Sequence, residues 1–422
     1  MRIGSAKTDI TPKCKICLTG FGNPKREHLG THDPIYMTCT VIEQDGVKVA
    51  FLSGDVLGFD HDKLPAVRKE IADKTGIEPI NILFNASHTH SAPETLGWVN
   101  QRLGAYVAEY GDYFYKTIVE TVVAANADLE EGELYMGTID CYGIAVNRRQ
   151  TYKGKYIGGP VENGVRSDEV TVLKAVCGGK IKSILFNYTC HPSTVGFNYV
   201  SADWPGVARR IVSEKYDCVA GFLQGCCGDI RVRTTDDVGH RWRAGTYEDI
   251  ERFGSMLAAR IDALLTRPMK KVEGAFSTKY STFDLPLLEK LPREVYEARV
   301  ADEEYPWFAK GAMMVYAEQY DTLPDSRPYS LQRIDLGDKL TFWGLEGEVC
   351  MSYSINIKAM MPDRHVVVCG YSNGTPGYIF PEDMVPAGGY EPITSRDVYL
   401  LGEGFAYDIE KIILKKCEEI AK

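Results

Sequence analysis

The chain has 422 residues, of which 44% are hydrophobic and 25% charged, and its formal net charge is -10. This composition is typical of a soluble globular protein, long enough for one large domain or two ordinary ones. The scattered basic residues argue against a nucleic-acid-binding protein, because phosphate binding needs clustered Lys and Arg. No apolar stretch approaches the roughly 20 residues of a membrane span, so we expect no stable membrane association.

The N-terminus and the cysteines bear on the cellular compartment. The segment that begins at Met1 has no apolar core of signal-peptide length and no small-residue cleavage site. Twelve cysteines in so long a chain do not form the disulfide framework of a small secreted protein. These features together predict a cytoplasmic location, whereas the oligomeric state stays open.

Strand-like runs alternate with helical runs along most of the chain. In chain order, the patterns predict a hairpin at 38–43 and 47–52, a strand at 81–85, a helix at 110–127, a hairpin at 170–176 and 182–188, a helix at 205–215, a strand at 219–223, helices at 247–265 and 293–320, a hairpin at 331–335 and 340–345, and a helix at 401–422. This alternation predicts an α/β fold. We expect mixed β-sheets packed in layers and flanked by helices, within a single large domain over 1–422.

Two segments that contain histidine follow predicted strands. The first, 85–93, contains His88 and His90, which would point to the same side of an extended chain. Such a pair suits a metal ligand beside a general acid/base, although capping or core packing is about as common for histidines like these. In the second segment, Pro192 restricts the preceding His191 to extended geometry.

Later segments carry further candidate side chains. Asp203 precedes a predicted helix, where it serves either as a cap or as a support for a neighbouring site. Glu348 lies between a predicted strand and a predicted helix. The run 224–229 is a Gly-rich turn beside a carboxylate, and Tyr378 and Tyr390, taken alone, would be core aromatic residues.

Several short segments occur in a recognisable order along almost the whole chain. They are Ala6-Lys7-Thr8-Asp9-Ile10-Thr11-Pro12, Gly30-Thr31-His32-Asp33-Pro34, His88-Thr89-His90-Ser91-Ala92-Pro93, Asn147-Arg148, Cys190-His191-Pro192, Gln224-Gly225-Cys226-Cys227-Gly228-Asp229, Gly347-Glu348 and the pair Tyr378 and Tyr390. In this order they resemble the catalytic domain of neutral, non-lysosomal ceramidases. The histidine block and the N-terminal D-I-T-P are the most specific of them.

The resemblance implies a zinc enzyme that cleaves an amide with an activated water. It assigns the zinc ligands to His88, His191, Glu348 and Tyr378, and leaves a position for water. It makes His90 the general acid/base beside that water. Arg148 and Tyr390 would bind the substrate carbonyl and stabilise its developing oxyanion, and backbone N–H groups near Gly225 would add substrate contacts.

Two departures from the family bear on the substrate. Where the family has a Ser that contacts the substrate, this chain has Gly225 followed by Cys226, so a Ser nucleophile is absent. We interpret Cys226 and Cys227 as packed thiols rather than as nucleophiles. The chain also ends soon after the last motif, without the immunoglobulin-like C-terminal domain of the secreted enzymes. We therefore expect a small soluble N-acyl substrate rather than ceramide.

Other functions stay open at this point. An esterase or lactonase is the closest chemical neighbour of an amidohydrolase. A true ceramidase would need an exposed apolar rim or a basic surface to reach a membrane lipid, and the sequence indicates neither. A non-catalytic metabolite-binding relative is the third alternative. The joint presence of the ligand set, His90 and Arg148 argues against it.

Overall fold

The computed structural model describes residues 1–23, 26–102, 104–236 and 238–422. The helices are α1 (Leu64–Thr75), α2 (Ala108–Ala127), α3 (Asp203–Tyr216), α4 (Tyr247–Leu265), α5 (Arg293–Ala301), α6 (Trp307–Glu318), α7 (Met351–Met360) and α8 (Ile409–Ala421). The strands are β1 (Arg2–Asp9), β2 (Gly30–Thr31), β3 (Tyr36–Gln44), β4 (Val47–Gly54), β5 (Ile82–Ala86), β6 (Glu130–Asp140), β7 (Ala145–Asn147), β8 (Thr151–Tyr152), β9 (Lys155–Tyr156), β10 (Glu169–Cys177), β11 (Lys180–Tyr188), β12 (Tyr199–Val200), β13 (Val219–Gln224), β14 (Ile230–Val232), β15 (Lys270–Lys271), β16 (Phe276–Pro286), β17 (Ser326–Leu336), β18 (Leu340–Leu345), β19 (Glu348–Val349), β20 (His365–Cys369) and β21 (Tyr378–Ile379).

Two mixed sheets form the framework. In the larger sheet the strand order is β13-β11-β10-β6-β1-β3-β4-β5, with β15 paired to β6, and the smaller has the order β16-β17-β18-β20. The pairs β4/β5, β11/β13 and β18/β20 are parallel, whereas the hairpin pairs are antiparallel. The parallel pairs bring the carboxyl ends of several strands to one edge of the sheets.

The two sheets pack face to face. Alternate residues of β4 divide between two cores, because successive side chains of a strand point to opposite faces. Phe51 meets Phe342 of the smaller sheet at a ring-centroid distance of 4.8 Å, and Leu52 faces a core shared with α1–α4. On the far side of the smaller sheet, Trp343 and Leu345 pack with residues of α7 and α8. The predicted layers of mixed sheets flanked by helices are therefore confirmed.

The three predicted hairpins are also confirmed, but two predicted helices are wrong in extent. The helix expected over 293–320 is divided into α5 and α6, because Pro306 lacks an N–H and disfavours helical geometry at Tyr305. The helix expected over 401–422 begins only at Ile409. Gly402 and Gly404 adopt positive φ angles, +63° and +103°, that an α-helix does not contain.

No helix among the described residues has the length and apolarity that crossing a bilayer requires.

A buried ion pair joins α3 to the end of β4. Arg209 donates to both carboxylate oxygens of Asp55, at 2.7 and 2.5 Å, and the backbone N–H of Tyr36 donates to the same carboxylate at 2.8 Å. The side chains of Arg209 and Asp55 are 3% and 0% exposed. Removing one partner leaves an uncompensated buried charge, which is strongly destabilising.

We expect Arg209→Ala to lower the free energy of unfolding by about 3–5 kcal/mol, the usual cost of breaking a buried pair from one side. The control is Arg210→Ala, because Arg210 is the next residue of α3 and pairs with Glu214 and Glu251 at the surface. Exposed pairs contribute less than about 1 kcal/mol. Urea denaturation followed by circular dichroism measures both values, and equal losses would contradict the assignment.

Candidate functional site

A cavity of about 550 Å³ lies where strands of both sheets end. His88 follows β5 and His191 follows β11 of the larger sheet, whereas Glu348 follows β18 of the smaller one. The ring centroids of the two histidines are 4.8 Å apart. Residues far apart in the sequence are thus brought together at this edge, because both sheets place their strand ends there.

Backbone carbonyls fix the protonation of both imidazoles. Nδ1 of His88 lies 2.7 Å from the carbonyl oxygen of Leu57, and Nδ1 of His191 lies 2.7 Å from that of Cys227. A carbonyl only accepts, so each Nδ1 carries the hydrogen and each Nε2 presents a lone pair. Both Nε2 atoms lie 3.2 Å from the same carboxylate oxygen, Oε2 of Glu348.

This arrangement fits a cation. Two lone pairs and a carboxylate oxygen converge without a proton between them, and Nε2 of His191 has no hydrogen-bond partner. Burial lowers the pKa of His191 to about 4, so its imidazole is neutral near pH 7. A tetrahedral zinc ion with bonds of about 2.0–2.2 Å separates its ligands by about 3.3–3.5 Å, close to the spacing observed here. Nitrogen and carboxylate ligands also match the chemistry of zinc.

Hydrogen bonds from two tyrosines hold the carboxylate of Glu348. The hydroxyl of Tyr399 donates to Oε1, and that of Tyr371 donates to Oε2 at 3.3 Å. The carboxylate is therefore fixed in orientation.

Tyr378 lies beside Glu348 because β19 and β21 pair in parallel, with these two residues opposite each other. Burial raises the pKa of the Tyr378 phenol well above its usual value. Nη2 of Arg148 donates to its oxygen at 2.9 Å, which leaves that oxygen as an acceptor and favours negative charge on it. The phenol oxygen therefore lies between Arg148 and the Glu348 strand, and its role as a metal ligand stays a prediction.

His90 has a different environment from its neighbour. Both of its ring nitrogens are buried and have no hydrogen-bond partner. Its ring centroid lies 5.0 Å from that of His88 and 5.4 Å from that of His191, and burial lowers its pKa well below the usual value. The three histidines form a group that could hold a metal ion, with ligand atoms within 4.8 Å of one another.

The backbone that presents His88 is not extended, contrary to the sequence-based reasoning. His88 has a φ of +67°, a left-handed conformation that is uncommon for a residue with a side chain. Its N–H donates to the carbonyl of Val56 at 3.0 Å, and its ring donates to the next carbonyl, that of Leu57. Hydrogen bonds to the segment after β4, rather than strand alternation, orient His88, whereas the N–H of His90 donates to the carbonyl of Pro192 at 3.2 Å.

Arg148 lies on the wall of the cavity and is fixed by a buried carboxylate. Its Nε donates to Glu391 at 2.9 Å, and Arg149 binds the other oxygen of the same carboxylate. Tyr390 also lines the cavity, is 37% exposed, and packs edge-on against Tyr378 at 5.3 Å between ring centroids. One face of the cavity therefore combines a guanidinium with a phenol.

Comparison with known proteins identifies this arrangement. The family model described as "Neutral/alkaline non-lysosomal ceramidase, N-terminal" matches residues 1–240. The chain belongs to this family.

Two solved structures share the fold. A crystal structure of neutral ceramidase from Pseudomonas aeruginosa has a TM-score of 0.78 and 17% identity, and the match covers 100% of this chain and 74% of that one. A structure described as "Ceramidase complexed with C2" has a TM-score of 0.78 and 16% identity, with the same shares covered. No curated protein sequence matches the chain. Family membership makes the chain a ceramidase-type amide hydrolase, while identities this low show the fold alone.

Gly225 is not brought to the cavity of this ceramidase relative. Its N–H donates to the carbonyl of Tyr188 and to Oε1 of Gln224, both at 3.1 Å. A Cβ at this position would lie 2.0 Å from Oγ1 of Thr189, so the close approach of two loops requires glycine. The N–H of Gly225 is thus already used within the fold, and a substrate contact at Gly225 stays a prediction.

Of the residues that support the site, Asp203 was predicted as a cap or a support, Gln224 only as part of a motif, and others not at all. The side chain of Gln224 donates to the carbonyls of Ser87 and Cys190 at 2.9 Å, and so connects the two histidine loops. Asp203 accepts from the N–H and hydroxyl of Thr194 at 2.8 and 2.5 Å, which ties α3 to the His191 loop. Tyr399 and Glu391 carried no signal in the sequence except their proximity to Tyr390.

The vicinal thiols Cys226 and Cys227 are packed, as the sequence predicted. Both are fully buried, and burial raises the pKa of each thiol well above its usual value. The sulfur of Cys227 donates to the hydroxyl of Tyr371 at 3.3 Å, and neither thiol lines the cavity. A thiol in this state is a poor nucleophile.

We expect the double variant Cys226→Ala/Cys227→Ala to retain turnover on any substrate that the protein hydrolyses. Removing a true serine nucleophile costs about 10⁶-fold in kcat. A loss of that size would be easily distinguished from the retained turnover expected of packed thiols. Iodoacetamide should modify the half-buried Cys14 and Cys17 of the native protein before either buried thiol, as read by peptide mass spectrometry. An acyl adduct trapped on Cys226 or Cys227 would contradict this prediction.

Proposed function

We propose that the protein is a zinc-dependent hydrolase of a C–N amide bond and acts on a small soluble N-acyl compound. The observation that carries the proposal is the convergence of two imidazole lone pairs on Oε2 of Glu348. In this proposal His88, His191, Glu348 and Tyr378 hold the ion. Zinc bound there supplies a water nucleophile that is deprotonated near neutral pH.

In this proposal the remaining cavity residues either transfer protons or stabilise the charge that develops during the reaction. His90 is neutral and has two free ring nitrogens, so it accepts the proton of the attacking water and returns it to the leaving amine. Arg148 and Tyr390 stabilise the negative charge that develops on the amide oxygen. Glu391 holds the guanidinium of Arg148 in place before the substrate arrives, which lowers the cost of ordering it during the reaction.

The size of the cavity supports a small substrate. A volume of about 550 Å³ encloses a compound of roughly drug size, so long acyl chains would extend beyond it. Each two-carbon unit that an acyl chain lacks reduces the favourable free energy of apolar burial by roughly 1.6 kcal/mol, at about 0.8 kcal/mol per CH₂. Polar contacts must therefore provide much of the affinity. We place the enzyme in the cytoplasm within this proposal, in keeping with buried thiols such as those of Cys39, Cys190 and Cys369.

A lipid amide is the second candidate, and the cavity mouth favours it. Phe21 and Trp307 line the cavity and are 39% and 59% exposed, so an apolar rim is present that the sequence did not indicate. Exposed aromatic residues can contact a membrane or a detergent surface. The net charge of -10 acts against this, because anionic leaflets repel an acidic protein.

We expect one divalent ion per chain, most simply zinc, in protein purified without added metal. His88→Ala and His191→Ala should lose the ion, whereas His90→Ala should keep it and lower kcat by about 10²–10⁴, the size of a general acid/base contribution. Elemental analysis measures the ion, and His240→Ala, in an exposed loop, is the control. Equal metal loss in all three cavity variants would show that His90 is a ligand.

We also expect kcat/KM to be higher for short-chain N-acyl compounds, including N-acetyl sugars and N-acetyl amino acids, than for fluorescent long-chain ceramide in detergent. Trp307→Ser refines the comparison, because losing an exposed rim residue should lower ceramide turnover more than turnover of a soluble amide. A kcat/KM for ceramide above that of every soluble amide and ester tested would overturn the small-substrate proposal and favour the lipid amide.

A further inference from the structure

Arg231 lies on the wall of the same cavity and is not used by the proposed chemistry. It belongs to β14, where it pairs with Val146 of β7, and its guanidinium lies over the ring of Trp242 at 4.6 Å from the centroid. Its Nε is buried and has no hydrogen-bond partner. Within the described ranges, no carboxylate lies within ion-pair distance of this guanidinium.

Several other buried or half-buried arginines of the described chain are compensated. Arg148 and Arg149 share Glu391, and Arg209 binds Asp55. Arg26 lacks a carboxylate but donates to three backbone carbonyls at 2.8 Å. Among the described residues, Arg231 has neither kind of partner. Its side chain is half-buried, but its Nε is buried without a hydrogen bond, and a bound anion would supply the partner that the fold does not.

The surroundings of Arg231 suit a carboxylate. Stacking on Trp242 fixes the plane of the guanidinium, and a planar fork of N–H donors matches a carboxylate with two parallel hydrogen bonds. Burial, followed by the positive charge of Arg148, lowers the pKa of Arg231, so the pair of arginines repel each other until an anion binds. Glu94 also lines the cavity, but its carboxyl accepts from Thr19 at 2.6 Å and from backbone N–H groups.

We infer that Arg231 binds a carboxylate of the substrate, which makes the preferred substrates N-acyl compounds that carry a carboxylate, such as N-acyl amino acids. The inference rests on the proposed function for the reaction, but the anion site itself does not require catalysis. Arg231 is then a specificity-determining residue, whereas Arg148 acts on the amide oxygen. Neutral lipid amides offer no group that compensates Arg231.

Matched ligands test the inference by binding. N-acyl amino acids with acyl chains of two to eight carbons are compared with the corresponding C-terminal amides, which differ only in lacking the carboxylate. Calorimetry on metal-depleted protein separates the contribution of Arg231 from direct binding of a carboxylate to the ion. We expect the wild type to bind the carboxylates roughly 10- to 100-fold more tightly, the effect of a charge-assisted hydrogen-bonded pair.

Three variants test whether Arg231 causes the preference for ligands with a carboxylate. Arg231→Gln should bind both members of each pair equally, and Arg231→Lys, which keeps the charge without the planar fork, should retain a smaller preference. Arg233→Gln is the control, because Arg233 lies two residues away, pairs with Glu162 and does not line the cavity. Thermal unfolding checks that Arg231→Gln is folded.

The outcomes separate this inference from the proposed function. The anion site is overturned if the wild type binds the carboxylates no more tightly than the matched C-terminal amides. It is also overturned if Arg231→Gln lowers the affinity for both ligands of a pair by the same factor. If the zinc-loaded protein cleaves N-acyl amino acids with a kcat/KM that Arg231→Gln leaves unchanged, the hydrolase proposal stands and this inference fails. If the protein binds carboxylates through Arg231 but cleaves no amide, the anion site stands and the hydrolase proposal fails.

Discussion

The structure depends on one electrostatic constraint, a fully enclosed carboxylate that faces two imidazole lone pairs. Oε2 of Glu348 lies 3.2 Å from Nε2 of both His88 and His191. The backbone carbonyls at Leu57 and Cys227 prevent either imidazole from turning its N–H toward that oxygen without losing its own hydrogen bond. Such a geometry is costly without a positive charge at its centre, which explains why the surrounding residues are so closely fixed.

The fold meets this constraint by joining the ends of two sheets. Isolated bridges pair Asn85 with Ser372 and Gly225 with Cys369, so the ends of β5 and β13 in the larger sheet are tied to the end of β20 in the smaller one. Gln224 adds the connection between the two histidine loops. The face-to-face packing is therefore part of the site, since a shift of one sheet relative to the other would separate Glu348 from its histidines.

The sequence could predict features that depend on interactions between residues close together in the chain, but not those that depend on contacts between distant segments. Hairpins around Asp45-Gly46 and Gly178-Gly179 depend on local turn chemistry and were confirmed. The convergence of His88, His191 and Glu348 was expected from the order of motifs, not from local pattern. The left-handed φ of His88, the hydrogen bond from Tyr399 and the pairing of Arg148 with Glu391 depend on contacts between distant segments, and local periodicity carries no information about them.

The two arginines of the cavity differ in how their charges are compensated. Arg148 is held by Glu391 on one side and contacts Tyr378 on the other, so its orientation is set before any substrate binds. Arg231 is stacked on Trp242 but has no anionic partner among the described residues, so in our inference its charge is available to the ligand. A guanidinium that a carboxylate already holds in place can stabilise charge at a reacting bond without having to reorganise. An unpaired one discriminates between ligands, because only some of them can neutralise it.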